Sequence, residues 1–97
     1  MLAISKVTIA DPDTAVEKGD VWTAGPHTLA CFDVIREWAS WIALLEGDMI
    51  LCPYPGPYIL LADGPPMLCV QPDTYLAGHA LDRWNEQHPA AVAKKKR

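Results

Sequence analysis

Turn chemistry interrupts this chain so often that no regular element has room to run long. Asp11-Pro12, Gly19-Asp20, Ala24-Gly25-Pro26, Gly47, the run LCPYPGPY at residues 51–58, Asp63-Gly64-Pro65-Pro66, Pro72 and Pro89 mark successive boundaries. What lies between them is a series of short apolar runs and two stretches of helical periodicity. A chain so divided folds by packing small elements against one another rather than by extending any one of them.

Its 97 residues bound the result to one domain, one that buries roughly 60 to 65% of its unfolded surface. With 51% hydrophobic residues and four tryptophans, the material for a packed interior is present. Residues 4–10, ISKVTIA, read as a short strand, and DPDTAVEKGD as a polar connection in which Asp11 and Asp13 are solvated. VWTAGPHTLACF reads as two short strands with the bend at Ala24-Gly25-Pro26. Asp33 suits the N-cap of a helix over VIREWASWIALLE, with Val34, Ile35, Trp38, Trp41, Ile42 and Leu45 on one face and Gly47 at its end. A domain this small has little else to cover Trp38 and Trp41, which leaves a homodimer through this helix open.

DMILC then reads as a buried strand, and YILLA and MLCVQ as two more. Asp73 suits the cap of a second helix, TYLAGHALDRWNEQH, with Leu76, Ala77, Ala80, Leu81 and Trp84 on one face and Pro89 as its stop. The expected fold is α/β: a small open sheet of about four or five strands with two main helices. Residues 1–90 form the domain and 91–97 a basic, disordered tail.

Charge narrows the partners. Lys94, Lys95, Lys96 and Arg97 supply four of eight basic residues, so residues 1–93 carry four bases against twelve acids, a balance of −8. Such a body repels phosphate and suits a basic protein surface, while the tail alone gives weak, salt-sensitive contact with nucleic acid. Cys31, Cys52 and Cys69 are odd in number, widely spaced and set among apolar residues, as buried free thiols of a reducing compartment are. No CxxC pair suggests zinc, and a site would have to be assembled across the fold with His27 or His79, which read as turn and helix-surface residues. No segment approaches the roughly 20 apolar residues of a membrane span, and the start lacks a secretory leader, so a cytoplasmic location is expected.

The loop after DMILC concentrates the chemistry that can be read. Tyr54 and Tyr58, braced by Pro53, Pro55 and Pro57, either cover the end of the sheet or present an aromatic surface for a base or a partner's pocket. Tyr54, Pro55, Pro57 and Tyr58 are the candidate contact residues. In open α/β sheets ligands sit beyond the carboxyl ends of the strands, where this loop falls.

A strand ending in a Pro-Tyr loop resembles the catalytic motif of amino-methylating DNA methyltransferases, written DPPY, NPPY or SPPW. Upstream, GDVWTAGPHTLACFD is similar to the opening segment of that family, with His27, Leu29, Cys31 and Asp33 in place and Phe32 where glycine stands. Downstream, MLCVQPDTYLAGHALDRWNEQH looks like the strand and helix after the cofactor loop in the permuted, beta-like classes, with Gln71, Pro72, Tyr75, Arg83 and Trp84 in frame. The resemblance covers most of residues 19–88 and implies a methyltransferase-like fragment.

The departures fall on the chemistry. Leu51 stands where the acid or amide must accept hydrogen bonds from the target amine, and ADGPP holds one glycine where the family carries a Phe-x-Gly-x-Gly cofactor loop. Gln71 takes the place of the acid that grips the ribose of S-adenosylmethionine, so it is the residue the resemblance assigns to a cofactor. Two functions follow as expectations. The first is a non-catalytic interaction or inhibitor protein that uses no cofactor, of the type that phages or mobile elements direct at a host defence nuclease, as anti-restriction or anti-CRISPR factors do. The alternative is a minimal S-adenosylmethionine-dependent DNA methyltransferase, active only as an oligomer or with a partner.

Overall fold

In a computed structural model, residues 10–56 and 65–97 are described. The element order is β1 (Val21–Ala24), β2 (His27–Ala30), α1 (Trp38–Ile42), β3 (Ile50–Pro53), β4 (Met67–Val70), α2 (Thr74–Gln87) and β5 (Lys94–Lys95). The strands form one mixed sheet in the order β3-β4-β2-β1-β5. The expected strand at residues 4–10 lies, but for Ala10, outside the described residues, and so do Pro57 and the whole of YILLA, Tyr58 included.

β1 and β2 make an antiparallel hairpin in which Ala24 faces His27, leaving Gly25-Pro26 as a two-residue turn. Gly25 has φ +57, which glycine adopts without penalty. Its missing side chain matters equally, since a Cβ there would stand 2.7 Å from the Trp84 ring. β2, β4 and β3 run parallel, so their carboxyl ends share one side of the sheet.

Alternation along the strands divides the core between two faces. Leu29 and Cys69 join Ala77, Ala80, Leu81 and Trp84 under α2, while Val21, Ala30, Leu68 and Val70 pack with Phe32 and Trp41 on the other side. α2 forms as its cap predicts: the Asp73 carboxylate accepts the N–H groups of Tyr75 and Leu76 at 2.9 and 3.1 Å. Residues 12–14 lie over α2 at Gly78, where a Cβ would meet Pro12 and the Thr14 carbonyl. Asp82 fixes that crossing by accepting the N–H of Asp13, the N–H of Thr14 and the Thr14 hydroxyl.

Four expectations need correction. The first helix is only Trp38–Ile42, flanked by turns closed through i→i+3 bonds such as Leu44 N–H to the Trp41 carbonyl and Leu45 N–H to the Ile42 carbonyl. Trp41 alone of its residues is buried, its indole N–H bonded to the Val34 carbonyl. Ile35 and Trp38 are 76% and 58% exposed, so the expected six-residue face does not exist as a buried stripe. With one anchor on the sheet, the segment lacks the packing that sustains a longer helix.

Second, β3 is an edge among the described strands rather than a buried one, with Ile50 and Leu51 51% and 39% exposed. Third, the basic segment is paired. Trp22 and Thr23 of β1 register with Lys95 and Lys94, and Lys95 reaches the buried Asp20 carboxylate at 3.3 Å. Burial pushes the Asp20 carboxyl up, but the Glu17 N–H, Lys95 and Trp22 outweigh it and hold it below its ordinary value. β1 would otherwise end the sheet with an open ladder, and lysines suit the strand that covers it.

Fourth, His27, read as a turn residue, is the first residue of β2 beside the hairpin turn and is buried. Its Nδ1 accepts the Met67 N–H at 3.1 Å, and its ring meets Trp84 edge-on.

Gly25→Ala combines a left-handed alanine with overpacking against Trp84 and is expected to cost about 2 to 4 kcal/mol in chemical denaturation. Burial, reinforced by His88, holds the His27 imidazole below its ordinary 6.5, so the folded state excludes a proton that the unfolded chain accepts. That part of the stability is complete above the unfolded value and is lost as pH falls below it. A denaturation midpoint that drops between about pH 7.5 and about pH 5.5 in the native chain, and drops less in His27→Asn, is the expected outcome.

Candidate functional site

The carboxyl ends of β2, β3 and β4 open onto Cys31 to Asp33, Tyr54 to Gly56 and Gln71 to Asp73. Tyr54 sits where β3 stops. Its N–H still follows the ladder, donating to the Val70 carbonyl at 2.9 Å, yet its φ is +52, the one non-glycine residue with positive φ among those described. A tyrosine there stores about 1 to 2 kcal/mol. Pro55 follows directly and disfavours the right-handed helical region at Tyr54, yet it favours extended backbone, so the left-handed value is set by the fold rather than by the local sequence. The result is an aromatic ring 58% exposed at the sheet end.

Gln71 holds this conformation from below. Its Nε2 donates to the Pro55 carbonyl at 2.8 Å, and its Oε1 accepts the Asp73 N–H at 3.0 Å. The side chain is 4% exposed, so both ends of the amide are engaged within the protein. Gln71 is thus a brace for the Tyr54 loop and the α2 cap, and nothing of it faces outward toward a ribose. Of the four candidate contact residues, Tyr54 is exposed, Pro55 is buried, and Pro57 and Tyr58 lie outside the described residues.

Carboxylates gather at these strand ends, with Lys18 and Arg36 among them. The Asp33 carboxyl is held below its ordinary value chiefly by the Arg36 N–H; desolvation opposes this, and the Ile35 N–H and the charges of Arg36 and Lys18 reinforce it. Glu37 turns back to accept the Asp33 N–H at 2.7 Å, and Asp73 caps α2. Burial pushes the Cys31 thiol up; Lys18 opposes this, and Asp20, Asp73 and Glu37 reinforce it. A thiol buried among carboxylates is a poor nucleophile.

Two shallow clefts lie elsewhere. One, about 290 Å³, is lined by Asp13, Thr14, Asp82, Asn85 and Glu86, with Asp82 already spent on the segment it anchors. The other, about 380 Å³, lies between the hairpin turn and residues 90–94. Among the described residues, no three His, Cys, Asp or Glu side chains gather as metal ligands would, and no helix is long and apolar enough to cross a membrane. His79 points to the Ala10 carbonyl at 3.0 Å, beside the Tyr75 hydroxyl that donates to the same oxygen.

The acidic rim and the Gln71 brace escape a reading of sequence, because both depend on strand order. The one signal for the brace is a glutamine closing an otherwise apolar strand, just before a proline and a helix cap. Comparisons with protein families, with curated proteins and with solved structures find no match to this chain.

Gln71→Glu keeps the size of the side chain but cannot donate to the Pro55 carbonyl. It is expected to destabilise the fold by about 1 to 3 kcal/mol in denaturant titration.

Proposed function

We propose that the chain is a non-catalytic interaction protein that presents Tyr54, within an acidic surface, to a basic protein partner. The observation that carries this reading is the strained, doubly braced exposure of Tyr54. Backbone strain of this kind persists where the surroundings over-determine it, and it concentrates at ligand clamps and recognition sites. An exposed aromatic anchor with an acidic rim matches a basic surface: the ring supplies buried area on docking, and the charge supplies steering and specificity.

The scaffold reading remains that of a degenerate DNA methyltransferase, resting on the residues quoted from its sequence. Leu51 at the place of the catalytic acid and Gln71 turned inward both favour binding over methyl transfer. A basic protein that itself handles nucleic acid, such as a defence nuclease, is the class of target an inhibitor of this charge suits.

Tyr54→Gly separates recognition from folding. It removes the ring together with the left-handed penalty, so stability is expected to hold or rise by up to about 1 kcal/mol. Affinity capture from bacterial lysate, compared between the two proteins, should lose a basic partner with the ring, and the native capture should weaken as salt rises. Calorimetry with S-adenosylmethionine and S-adenosylhomocysteine should stay silent; saturable binding, or a partner indifferent to Tyr54→Gly, overturns the reading in favour of the minimal enzyme or of another surface.

A further inference from the structure

Parallel pairing sets Cys52 of β3 directly against Cys69 of β4, and both side chains lie on the face covered by α2. Neighbouring strands run about 4.8 Å apart, within the Cα separation of about 4.4 to 6.8 Å that a disulfide spans. Both thiols are free. Burial pushes the Cys69 thiol up to about 12, with the neighbouring Cys52 adding to the rise, in keeping with the register that sets the two residues side by side. Access is unequal: Cys69 is fully buried and Cys52 half-buried, so a reagent arrives at Cys52. β3 is an edge among the described strands and can close on β4 without displacing a further described strand.

We propose that Cys52 and Cys69 are a redox pair that closes to a cross-strand disulfide by exchange with a low-molecular-weight disulfide of the oxidised-glutathione class. The Cys52 thiol releases its proton to solvent, and its thiolate attacks one sulfur of the reagent. The reagent's S–S bond breaks, leaving a mixed disulfide on Cys52 and one free thiol that takes up a proton. Cys69 then loses its proton and attacks the Cys52 sulfur, expelling the second small thiol. The protein is oxidised by two electrons and the reagent is reduced to two thiols. The second step is the slow one, because the attacking sulfur is dry and reluctant to ionise.

The bridge falls two residues before Tyr54 and ties the exposed strand to the centre of the sheet. Closure therefore locks the loop that presents Tyr54, whatever that ring contacts.

The test is incubation of the whole chain with oxidised glutathione, followed by proteolysis and mass spectrometry. The expected product joins the Cys52 and Cys69 peptides with loss of two hydrogens, preceded by a transient glutathione adduct on Cys52 that resolves faster at higher pH. Cys52→Ser, a change at a half-buried site, should abolish the bridge and leave Cys69 unmodified, whereas Cys31→Ser should leave the yield unchanged. An adduct on Cys52 that persists without resolving, a bridge that includes Cys31, or thiols that react only after denaturation would each overturn the proposal.

Discussion

The indole of Trp84 is the contact on which the separate parts of this small domain converge. Its ring lies against the Gly25 turn so closely that no side chain fits there, and it meets His27 edge-on and stacks on His88 at 3.7 Å. Its N–H donates to the Ala91 carbonyl at 2.8 Å. One side chain thus seats α2 on the sheet, fixes the hairpin and turns the chain back toward β1. In a domain with little interior, one large aromatic that satisfies its polar atom while packing on several elements does what a larger protein spreads over many residues.

That convergence places the order and the openness at opposite ends of the sheet. Near Trp84 the hairpin, α2 and the paired segment 94–97 lock together, with Asp20 and Lys95 closing the side of β1. At the other end, β3 and the Tyr54 loop rest on fewer anchors, the Gln71 brace among them. The residues proposed for recognition stand at this more open end. Their backbone is held by specific hydrogen bonds rather than by bulk.

Elements whose cause is local were legible in the sequence. The Asp73 cap, the apolar face of α2 and the Gly25-Pro26 bend each depend on residues a few positions apart. That a proline-rich aromatic loop ends the strand at Tyr54 was legible for the same reason, whereas its left-handed backbone was not, since a following proline favours extended conformation. What was not legible depended on neighbours distant in the chain. The lysine run looked like a solvated tail because nothing in its own composition reveals that β1 lacks a partner on that side. The first helix looked long because its periodicity is real, yet Trp41 is the one residue of α1 that is buried. Gln71 looked available because its acceptor, the Pro55 carbonyl, lies 16 positions away in the chain.

Pro53 has a bearing on assembly. Along β3, the nitrogens of Ile50 and Tyr54 turn inward to the Pro66 and Val70 carbonyls, so those of Leu51 and Pro53 turn outward. Proline has no hydrogen to give, and a strand approaching from outside would find a single donor there, that of Leu51. Among the described strands, this border of the sheet is therefore a poor template for growth by added strands. An approaching chain would meet there side-chain shape and charge more than backbone donors.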